Sequence, residues 1–360
     1  MIKRKRLVKS FCDLVKIDSP SGQEDKIAEY LSEKLTQLGF EVGSDDYGNI
    51  IAKEEGNNPL MLSAHMDTVE PGRNINPKVE GDIIKSDGTT ILGGDCKAGI
   101  AAILEGVESS IENNQKNRPL EIIITRDEEP GLLGAKNLDY SKINSEEAVV
   151  FDGNGPVNTI TGISPTYMKF DIEITGIGAH AGVEPEKGLS AIKIATELIS
   201  ELPQGRLDEE TTFNIGLISG GTVRNAVPVN SQISGEFRSQ NTETVELLNL
   251  QLKSTISKFQ ERYEKCSIEY DTETMFKMYR IDEKAKIVKS VFDTLKTLGL
   301  EPDIKPSGGG TDANVMLSHG IDCIVVGMAT NEMHTVDEYV VIPDLINAAK
   351  LTENLSQKND

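Results

Sequence analysis

Histidine and carboxylate side chains recur in five short segments that lie beside an apolar run or a glycine turn. The segments are AHMDT with His65 and Asp67, GGDCKAG with Asp95, TRDEEPG with Glu128 and Glu129, VVFDGNG with Asp152, and NEMHTVDE with His334. These side chains are ligand types that zinc and harder divalent cations accept. A pair of such ions needs one shared carboxylate and further ligands on each side, and this set supplies both. The residues therefore predict a two-metal hydrolytic centre.

Each segment also has a simpler explanation when it is taken alone. His65 in an HxD pair is typical of a structural histidine beside an acid, and Asp95 in a glycine turn is typical of a helix N-cap. An acidic loop such as Asp127–Glu129 is usually solvated surface. Adjacent carboxylates at the end of a strand, however, also suit one metal ligand beside one general base. The two-metal interpretation is favoured because all the segments occur together.

The elements that would position these residues follow an α/β pattern. Amphipathic helices are predicted at residues 1–16 and Glu24–Leu38, and an alanine-rich helix at Lys97–Ser110 directly follows the glycine loop. Apolar runs bounded by Gly, Pro and Asp predict buried strands at Asn49–Lys53, Leu60–Ala64, Leu120–Thr125, Ala148–Phe151 and Cys323–Gly327. Because α/β sheets bind ligands at the carboxyl ends of their strands, the acids and histidines that follow these strands are expected at one edge.

Residues 165–271 interrupt this pattern with an order of elements of their own. Strands and helices are predicted, in chain order, at Tyr167–Thr175, Gly188–Glu201, Thr212–Ser219, Gln232–Arg238, Glu243–Glu264 and Cys266–Tyr270. The order βαββαβ is a complete ferredoxin-like unit. The α/β pattern then resumes with helices at Glu283–Leu298 and Pro343–Leu355. We therefore predict a discontinuous α/β domain, residues 1–164 and 272–360, with a small α+β domain inserted.

Composition and charge exclude several classes of protein. A net charge of −21 argues against nucleic acid, whose phosphates bind basic surfaces, and against an anionic membrane. No apolar run approaches the roughly 18–20 residues that would span a membrane, and the basic N-terminal segment lacks a secretory core. The four cysteines lie far apart, which argues against disulfides and thiolate zinc sites. We expect a cytoplasmic protein without nucleic-acid or membrane partners.

In order and spacing, these motifs resemble the dinuclear-zinc exopeptidase family of peptidase T, glutamate carboxypeptidase and succinyl-diaminopimelate desuccinylase. The resemblance covers nearly the whole chain and is strongest to the peptidase T, or tripeptidase, branch. It implies a zinc-exopeptidase-like catalytic domain, with a mixed sheet flanked by helices, and an inserted lid and dimerisation domain. It also implies two divalent ions, most simply zinc. One ion would be held by His65, Asp95 and Asp152, and the other by Asp95, Glu129 and His334.

The same resemblance implies roles for the other residues of these motifs. Asp95 would bridge the two ions, Asp67 would orient His65, and Glu128 would be the general base. The Asp95–Cys96 peptide bond would be cis. The position after Asp95 is often acidic in the family, although an apolar residue is tolerated there, and here it is Cys96. A Cys96 nucleophile is a rival interpretation, but the sequence arranges no base for it.

The insertion carries motifs that resemble the family in their own right. GIGAHAG, with His180, resembles the lid motif whose histidine reaches the active site of the partner subunit, which implies a homodimer joined through the insertion. GGTVRNAVP, with Asn225, resembles a substrate-contacting turn, and Arg238 in GEFRS would also face substrate. SGGGTDA, with Gly309 and Gly310, resembles the loop that receives a substrate terminus, because bare backbone amides bind carboxylates. The simpler alternatives are a plain loop histidine at His180 and no functional role for Asn225 or Arg238.

These observations favour a metal-dependent exopeptidase for short peptides, a tripeptidase or aminopeptidase, with Glu128 as the base that activates water. One alternative is a related amide hydrolase, such as a carboxypeptidase, a dipeptidase or an N-acyl amino-acid deacylase. The other is a non-catalytic binding protein on the same scaffold. Glu128 beside a full ligand set argues against a binding protein, which needs no general base. Only substrates separate the first two, because side-chain preference resides in loops.

Overall fold

The computed structural model describes residues 1–115 and 118–357. Within those residues, none of the helices has both the length and the apolar character needed to cross a membrane. The helices are α1 (Arg4–Val15), α2 (Asp25–Gln37), α3 (Gly94–Glu112), α4 (Leu133–Asn137), α5 (Ala191–Glu201), α6 (Thr242–Arg262), α7 (Lys286–Thr297), α8 (Asp312–Ser318) and α9 (Ile342–Gln357).

The strands include long members of two main sheets and several short ones. They are β1 (Glu41–Ser44), β2 (Ile50–Lys53), β3 (Leu60–His65), β4 (Lys78–Glu80), β5 (Ile83–Lys85), β6 (Leu120–Thr125), β7 (Glu147–Gly153), β8 (Thr159–Ser164), β9 (Thr166–Thr175), β10 (Gly205–Arg206), β11 (Thr211–Gly220), β12 (Asn230–Ser239), β13 (Ser267–Phe276), β14 (Tyr279–Arg280), β15 (Asp303–Pro306), β16 (Asp322–Gly327), β17 (Thr330–Asn331) and β18 (Tyr339–Val341).

The chain divides into two units, and the second interrupts the first. The first unit contains Met1–Ile163, Arg280–Ser307 and the chain from Thr311 onwards. The second contains Ser164–Tyr279 and the short segment Gly308–Gly310. The first unit is thus assembled from parts of the chain that are distant in sequence.

The first unit is built on a mixed sheet in the order β1-β2-β6-β3-β7-β16-β8-β14, with β15 beside β8. The central strands β6, β3, β7 and β16 run parallel to one another. Every residue of β3 and β6 is buried, which is the pattern of a parallel sheet covered on both faces. The predicted α/β class, a mixed sheet flanked by helices, is confirmed.

Helices cover this sheet with apolar stripes at helical spacing. α1 buries Leu7, Phe11 and Leu14, which recur every three or four residues along one face. α3 is buried over most of its length and packs against α9. The two helices approach so closely at Gly106 that a Cβ atom there would lie 2.4 Å from Cβ of Thr352. Glycine at this position therefore allows the contact between the two helices.

The second unit has an antiparallel sheet in the order β10-β11-β12-β9-β13. Apart from the two-residue β10, its elements follow one another as β9-α5-β11-β12-α6-β13. This is the predicted βαββαβ arrangement, so the ferredoxin-like insertion is confirmed. Phe170, Phe213 and Phe237 pack together in its core, with ring centroids 5.3, 5.5 and 6.4 Å apart.

The second unit extends further than the predicted insertion, residues 165–271. Strand β13 continues to Phe276 because it remains paired with β9 as far as the Phe276–Tyr167 register. The segment Gly308–Gly310, which we predicted within the α/β domain, also belongs to this unit. Neither extension has a signal in the local sequence, since both depend on pairing between distant residues.

The close packing of α3 on α9 generates a prediction of stability. Gly106→Ala should lower the free energy of unfolding, because overpacking costs about 1–3 kcal/mol, whereas alanine gains about 1 kcal/mol over glycine in a helix. Gly43→Ala in β1 is the matched control, since a Cβ there meets no atom within 4 Å. Urea denaturation followed by circular dichroism measures both variants. A Gly106→Ala protein as stable as Gly43→Ala would contradict the close contact.

Candidate metal centre

The ends of parallel strands in the first unit supply most of the candidate ligands. His65 is the last residue of β3, and Asp152 is the penultimate residue of β7. Glu128 and Glu129 follow β6, whose last residue, Thr125, pairs with His65. Because these strands are parallel, their carboxyl ends meet at one edge of the sheet, where open α/β sheets bind ligands.

One cluster is formed by His65, Asp95 and Asp152, together with Cys96. The possible ligand atoms of these four residues lie within 4.8 Å of one another. His65 Nε2 lies 3.0 Å from Oδ1 of Asp95 and 3.5 Å from Oδ1 of Asp152. Three of the four side chains are buried. The three residues that the sequence predicted for the first ion are therefore adjacent in the structure.

A second cluster is formed by Asp95, Glu129 and His334, whose possible ligand atoms again lie within 4.8 Å of one another. His334 Nε2 lies 3.1 Å from Oδ2 of Asp95 and 3.2 Å from Oε1 of Glu129. Asp95 thus belongs to both clusters. One of its carboxylate oxygens faces His65 and the other faces His334, which is the arrangement that a bridging carboxylate requires.

Asp67 links the orientation of His65 to the loop after β6. His65 Nδ1 lies 3.1 Å from the backbone oxygen of Asp67 and 3.3 Å from its Oδ1. The Asp67 carboxylate also accepts hydrogen bonds from the backbone N–H groups of Glu128 and Glu129 and from Ser21 Oγ. Burial alone would raise the pKa of Asp67, but the hydrogen bonds with His65 and Glu128 outweigh it and lower that pKa. An ionised Asp67 would hold His65 in one ring orientation.

The electrostatics of the two clusters fit divalent cations. Burial first, and then the negative charge of Asp152, raise the pKa of Glu128 well above its ordinary value. Burial also raises the pKa of Asp152 to about 7, with Asp95 adding to the effect. Oε1 of Glu129 is buried and makes no hydrogen bond, although His334 Nε2 is 3.2 Å away. Cations between these carboxylates would compensate the repulsion and bind the unsatisfied oxygen.

Cys96 has the surroundings of a structural residue. Its side chain is buried, and Sγ donates a hydrogen bond to the backbone oxygen of Phe151. Burial raises the pKa of the Cys96 thiol well above its ordinary value, whereas a cysteine nucleophile must become a thiolate. These contacts argue against the rival interpretation of Cys96 as a nucleophile. The Asp95–Cys96 peptide bond is cis, as predicted.

The remaining predicted residues lie in the second unit. The segment around His180 runs beside the turn that contains Asn225: the Ala181 N–H donates to the Asn225 backbone oxygen at 3.0 Å, and His180 bridges to Ala226. His180 itself is exposed. The two motifs of the insertion therefore form one surface, although they are distant in sequence.

Arg238 is held beside the glycine loop of the second unit. Its Nη1 donates to the backbone oxygen of Gly308 at 3.0 Å, and its guanidinium lies 4.3 Å from the ring centroid of Tyr167. Ser164 Oγ donates to the backbone oxygen of Gly309 at 2.9 Å. At Gly310, a Cβ atom would lie 2.3 Å from the ring of Phe276. These contacts explain why the loop groups with the second unit.

Two acids near the centre were missed by the sequence analysis. Glu24 is buried and accepts hydrogen bonds from Arg126 Nη2 and from the backbone N–H of Asp127, which has a φ of 46°. Asp312 is also buried and accepts a hydrogen bond from Thr125 Oγ1 at 2.5 Å. Glu24 thus holds the backbone next to Glu128, and Asp312 holds the side chain of the last residue of β6. Neither has a local signal, because each acts on a segment distant in the sequence.

Comparison with known proteins gives consistent matches over the length of the chain. Residues 61–358 match a family model described as Peptidase family M20/M25/M40. The chain is 37% identical to the uncharacterized protein YqjE of Bacillus subtilis (strain 168), over 98% of this chain and 97% of the relative. Solved structures are similar to it as well, among them an aminopeptidase and a tripeptidase.

The first of these structures is an aminopeptidase PepT from Bacillus cereus ATCC 10987, with a TM-score of 0.87 and 36% identity over 99% of this chain and 98% of that one. The second is a tripeptidase from Staphylococcus aureus subsp. aureus Mu50, with a TM-score of 0.92 and 32% identity. That match covers 99% of this chain and 100% of the tripeptidase. The similarity therefore extends through both units of the chain.

The shared position of Asp95 generates a prediction of metal binding. Metal-free protein titrated with Zn²⁺ should take up about two ions per chain, as two-metal sites do. Glu129→Gln should retain one of them and bind the other weakly, because only the second cluster loses a ligand. Glu128→Gln is the matched control at the neighbouring residue and should bind both ions like the unmodified protein. Weak binding by Glu128→Gln with normal binding by Glu129→Gln would reverse the two assignments.

Proposed function

The chain belongs to peptidase family M20/M25/M40, and from that premise we propose that it is a metal-dependent exopeptidase that hydrolyses short peptides as a tripeptidase or aminopeptidase. The two clusters that share Asp95, next to the buried carboxyl group of Glu128, are the observation that carries the proposal. The aminopeptidase and the tripeptidase to which the chain is similar support this substrate class.

The proposed cofactor is a pair of divalent ions, most simply zinc. His65, Asp95 and Asp152 would hold one ion, and Asp95, Glu129 and His334 the other. Mixed histidine and carboxylate ligands suit zinc, and the carboxylates also suit harder ions. Such ions supply Lewis acidity to the scissile carbonyl and make water a stronger acid. The protein contributes their ligands and, through Asp67, the orientation of His65.

Glu128 is proposed as the general base. It accepts a proton from the attacking water as the new C–O bond forms at the scissile carbonyl, and it delivers that proton to the leaving amine as the C–N bond breaks. Burial and the charge of Asp152 raise its pKa in the metal-free centre. Cations bound beside it would lower that pKa again and keep the carboxylate ionised, as a general base requires. The hydrogen bond from its own N–H to Asp67, 3.0 Å long, fixes its backbone relative to His65.

The second unit is proposed to bind substrate. His180 would stabilise the developing negative charge on the carbonyl oxygen, as preorganised donors do. Asn225 and Arg238 would contact the peptide, and the amides of Gly309 and Gly310 would receive a terminal carboxylate. Arg238 donates hydrogen bonds to the Gly308 oxygen and to Glu236, which supports a role for Arg238 in anchoring this loop.

A homodimer joined through the second unit is part of the proposal. Strand β11 pairs with β12 along its length, but on its other side it pairs with β10 only at Thr212 and Phe213. Leu217 and Ile218 on this edge strand are 71% and 53% exposed. Open apolar edges favour pairing with another strand, and a second copy of β11 across a two-fold axis would satisfy both copies at once.

The proposed location is the cytoplasm. The cysteines Cys12, Cys96, Cys266 and Cys323 are all free in the structure. Free thiols persist in reducing compartments, and the net charge of −21 favours solubility without adhesion to anionic surfaces.

A panel of peptides tests the proposed activity. Zinc-loaded protein should hydrolyse tripeptides that carry a free amino terminus and should spare N-acylated peptides of the same sequence; dipeptides and tetrapeptides set the length preference. Glu128→Gln should lower turnover by about 10²–10⁴-fold, because it removes the base and keeps the shape. Chromatographic quantification of released amino acids measures each rate.

Two controls separate the base from the metal ligands in this experiment. Excess zinc should restore part of the activity of Glu129→Gln, which lacks a ligand, and none of the activity of Glu128→Gln. Full turnover by rigorously metal-free protein would contradict the proposed mechanism. Preference for N-acylated substrates would instead indicate a related amide hydrolase.

Complementation between inactive variants tests the dimer. The second unit contains one ferredoxin-like βαββαβ set, so a His180 that serves the catalytic centre is expected to come from the neighbouring subunit. Glu128→Gln mixed with His180→Ala should then recover about a quarter of the unmodified activity at random subunit exchange, because each hybrid dimer holds one intact site. A fully active monomer, or a His180→Ala variant with unchanged turnover, would contradict this arrangement.

A further inference from the structure

The loop that carries His334 has one buried anchor in its second half. Residues 334–337 are exposed, whereas Glu338 is only 1% exposed. The loop also contains Glu332 and His334 with φ values of 53° and 63°. Residues other than glycine rarely adopt a backbone conformation with positive φ, and they keep it only where surrounding contacts impose it. The position of His334 therefore depends on contacts outside its own backbone.

Glu338 makes those contacts with the turn that carries Asp95. Its Oε2 accepts the backbone N–H groups of Leu92 and Gly93, each at 2.7 Å, and its Oε1 accepts the N–H of Asp95 at 3.0 Å. Both carboxylate oxygens are thus used, and all three donors belong to one turn. This side chain fastens the His334 loop directly to the backbone of Asp95.

Apart from the shared Asp95, the ligands of the first cluster do not depend on such a fastening. Its residues His65 and Asp152 lie on β3 and β7, which pair with each other in parallel and with further strands on their outer sides. Hydrogen-bonded ladders hold both positions. In the second cluster, by contrast, His334 lies on a loop and its side chain is 50% exposed.

We propose that Glu338 is a positioning residue for the second cluster: it sets the separation between the Asp95 turn and His334, and thereby the affinity of that cluster for its metal ion. The inference rests on the proposed function, because it assumes that Asp95, Glu129 and His334 bind an ion. Glu338 itself would contact neither the metal ion nor the substrate. Hydrogen bonds that orient ligands commonly change metal affinity by about 10- to 100-fold.

The decisive variant is Glu338→Gln, which keeps the shape of the side chain. Its amide nitrogen would face an N–H donor, so at least one of the three hydrogen bonds must be lost. Asp337→Asn is the matched control, since this neighbouring carboxylate is exposed. Both variants are titrated with Zn²⁺ against a chromophoric chelator, and far-ultraviolet circular dichroism verifies that the metal-free chains are folded.

We expect Glu338→Gln to bind the ion of the second cluster about 10- to 100-fold more weakly. The ion of the first cluster should weaken far less, because Asp95 is the member of that cluster that Glu338 contacts, whereas His65 and Asp152 are held by strand pairing. Asp337→Asn should bind both ions normally. Equal weakening of both ions would indicate a general structural role and overturn the proposal, and so would unchanged binding. If Glu338→Gln does not fold, Glu338→Asp keeps the carboxylate on a shorter side chain and should weaken the same single ion.

A double-variant cycle identifies which cluster is affected. His334→Ala removes a ligand of the second cluster and leaves the first. Adding Glu338→Gln to His334→Ala should then change the affinity of the remaining ion by less than about twofold, because Glu338 is proposed to act through His334, which this variant no longer has. A full additional loss would overturn the proposal.

If the unmodified protein binds fewer than two ions, the proposed metal centre fails together with this inference. If the unmodified protein binds two ions and Glu338→Gln binds them equally well, the inference alone is overturned.

Discussion

Asp95 is a buried carboxylate whose two oxygens lie 3.0 and 3.1 Å from different histidine nitrogens. Around it, Glu128, Glu129 and Asp152 are withdrawn from water as well, and burial raises the pKa of each of the three. A folded chain tolerates such a concentration of acids only if hydrogen bonds or cations offset the loss of hydration. The strands and loops around the centre hold these carboxylates close together despite their mutual repulsion.

Two kinds of scaffold share that task. The parallel strands fix His65 and Asp152 through ladders of backbone hydrogen bonds, so their separation follows from strand spacing. Glu128, Glu129 and His334 lie on loops, where single buried side chains replace the ladder. Asp67 is one of these, because it contacts His65 and accepts both N–H groups of the Glu128–Glu129 pair. A rigid sheet with specifically fastened loops gives a centre more precise than loops alone could provide.

The strands and helices that carry the centre could be predicted because their signals are local. Leu120–Thr125 is a mostly apolar segment, LEIIIT, and it forms β6 with those bounds. Short strands such as Ile83–Lys85 and Tyr339–Val341 could not be predicted, since three residues show no periodicity and their pairing joins distant segments. Glu24 and Asp312 could not be predicted for the same reason. In the sequence, a buried acid that accepts hydrogen bonds from a remote segment looks like any surface acid.

Because the second unit interrupts the first, the parts of the first unit are synthesised at different times. Ribosomes deliver a chain from its amino terminus, and folding begins before the chain is complete. Strand β7 and Asp95 are therefore synthesised before the second unit, whereas their partners β16 and His334 are synthesised after it. Before that, the nascent chain can assemble at most the first cluster, whereas the second closes only when the segment that carries His334 joins the first unit. The second cluster thus forms only after the second unit and strand β16 have both been synthesised.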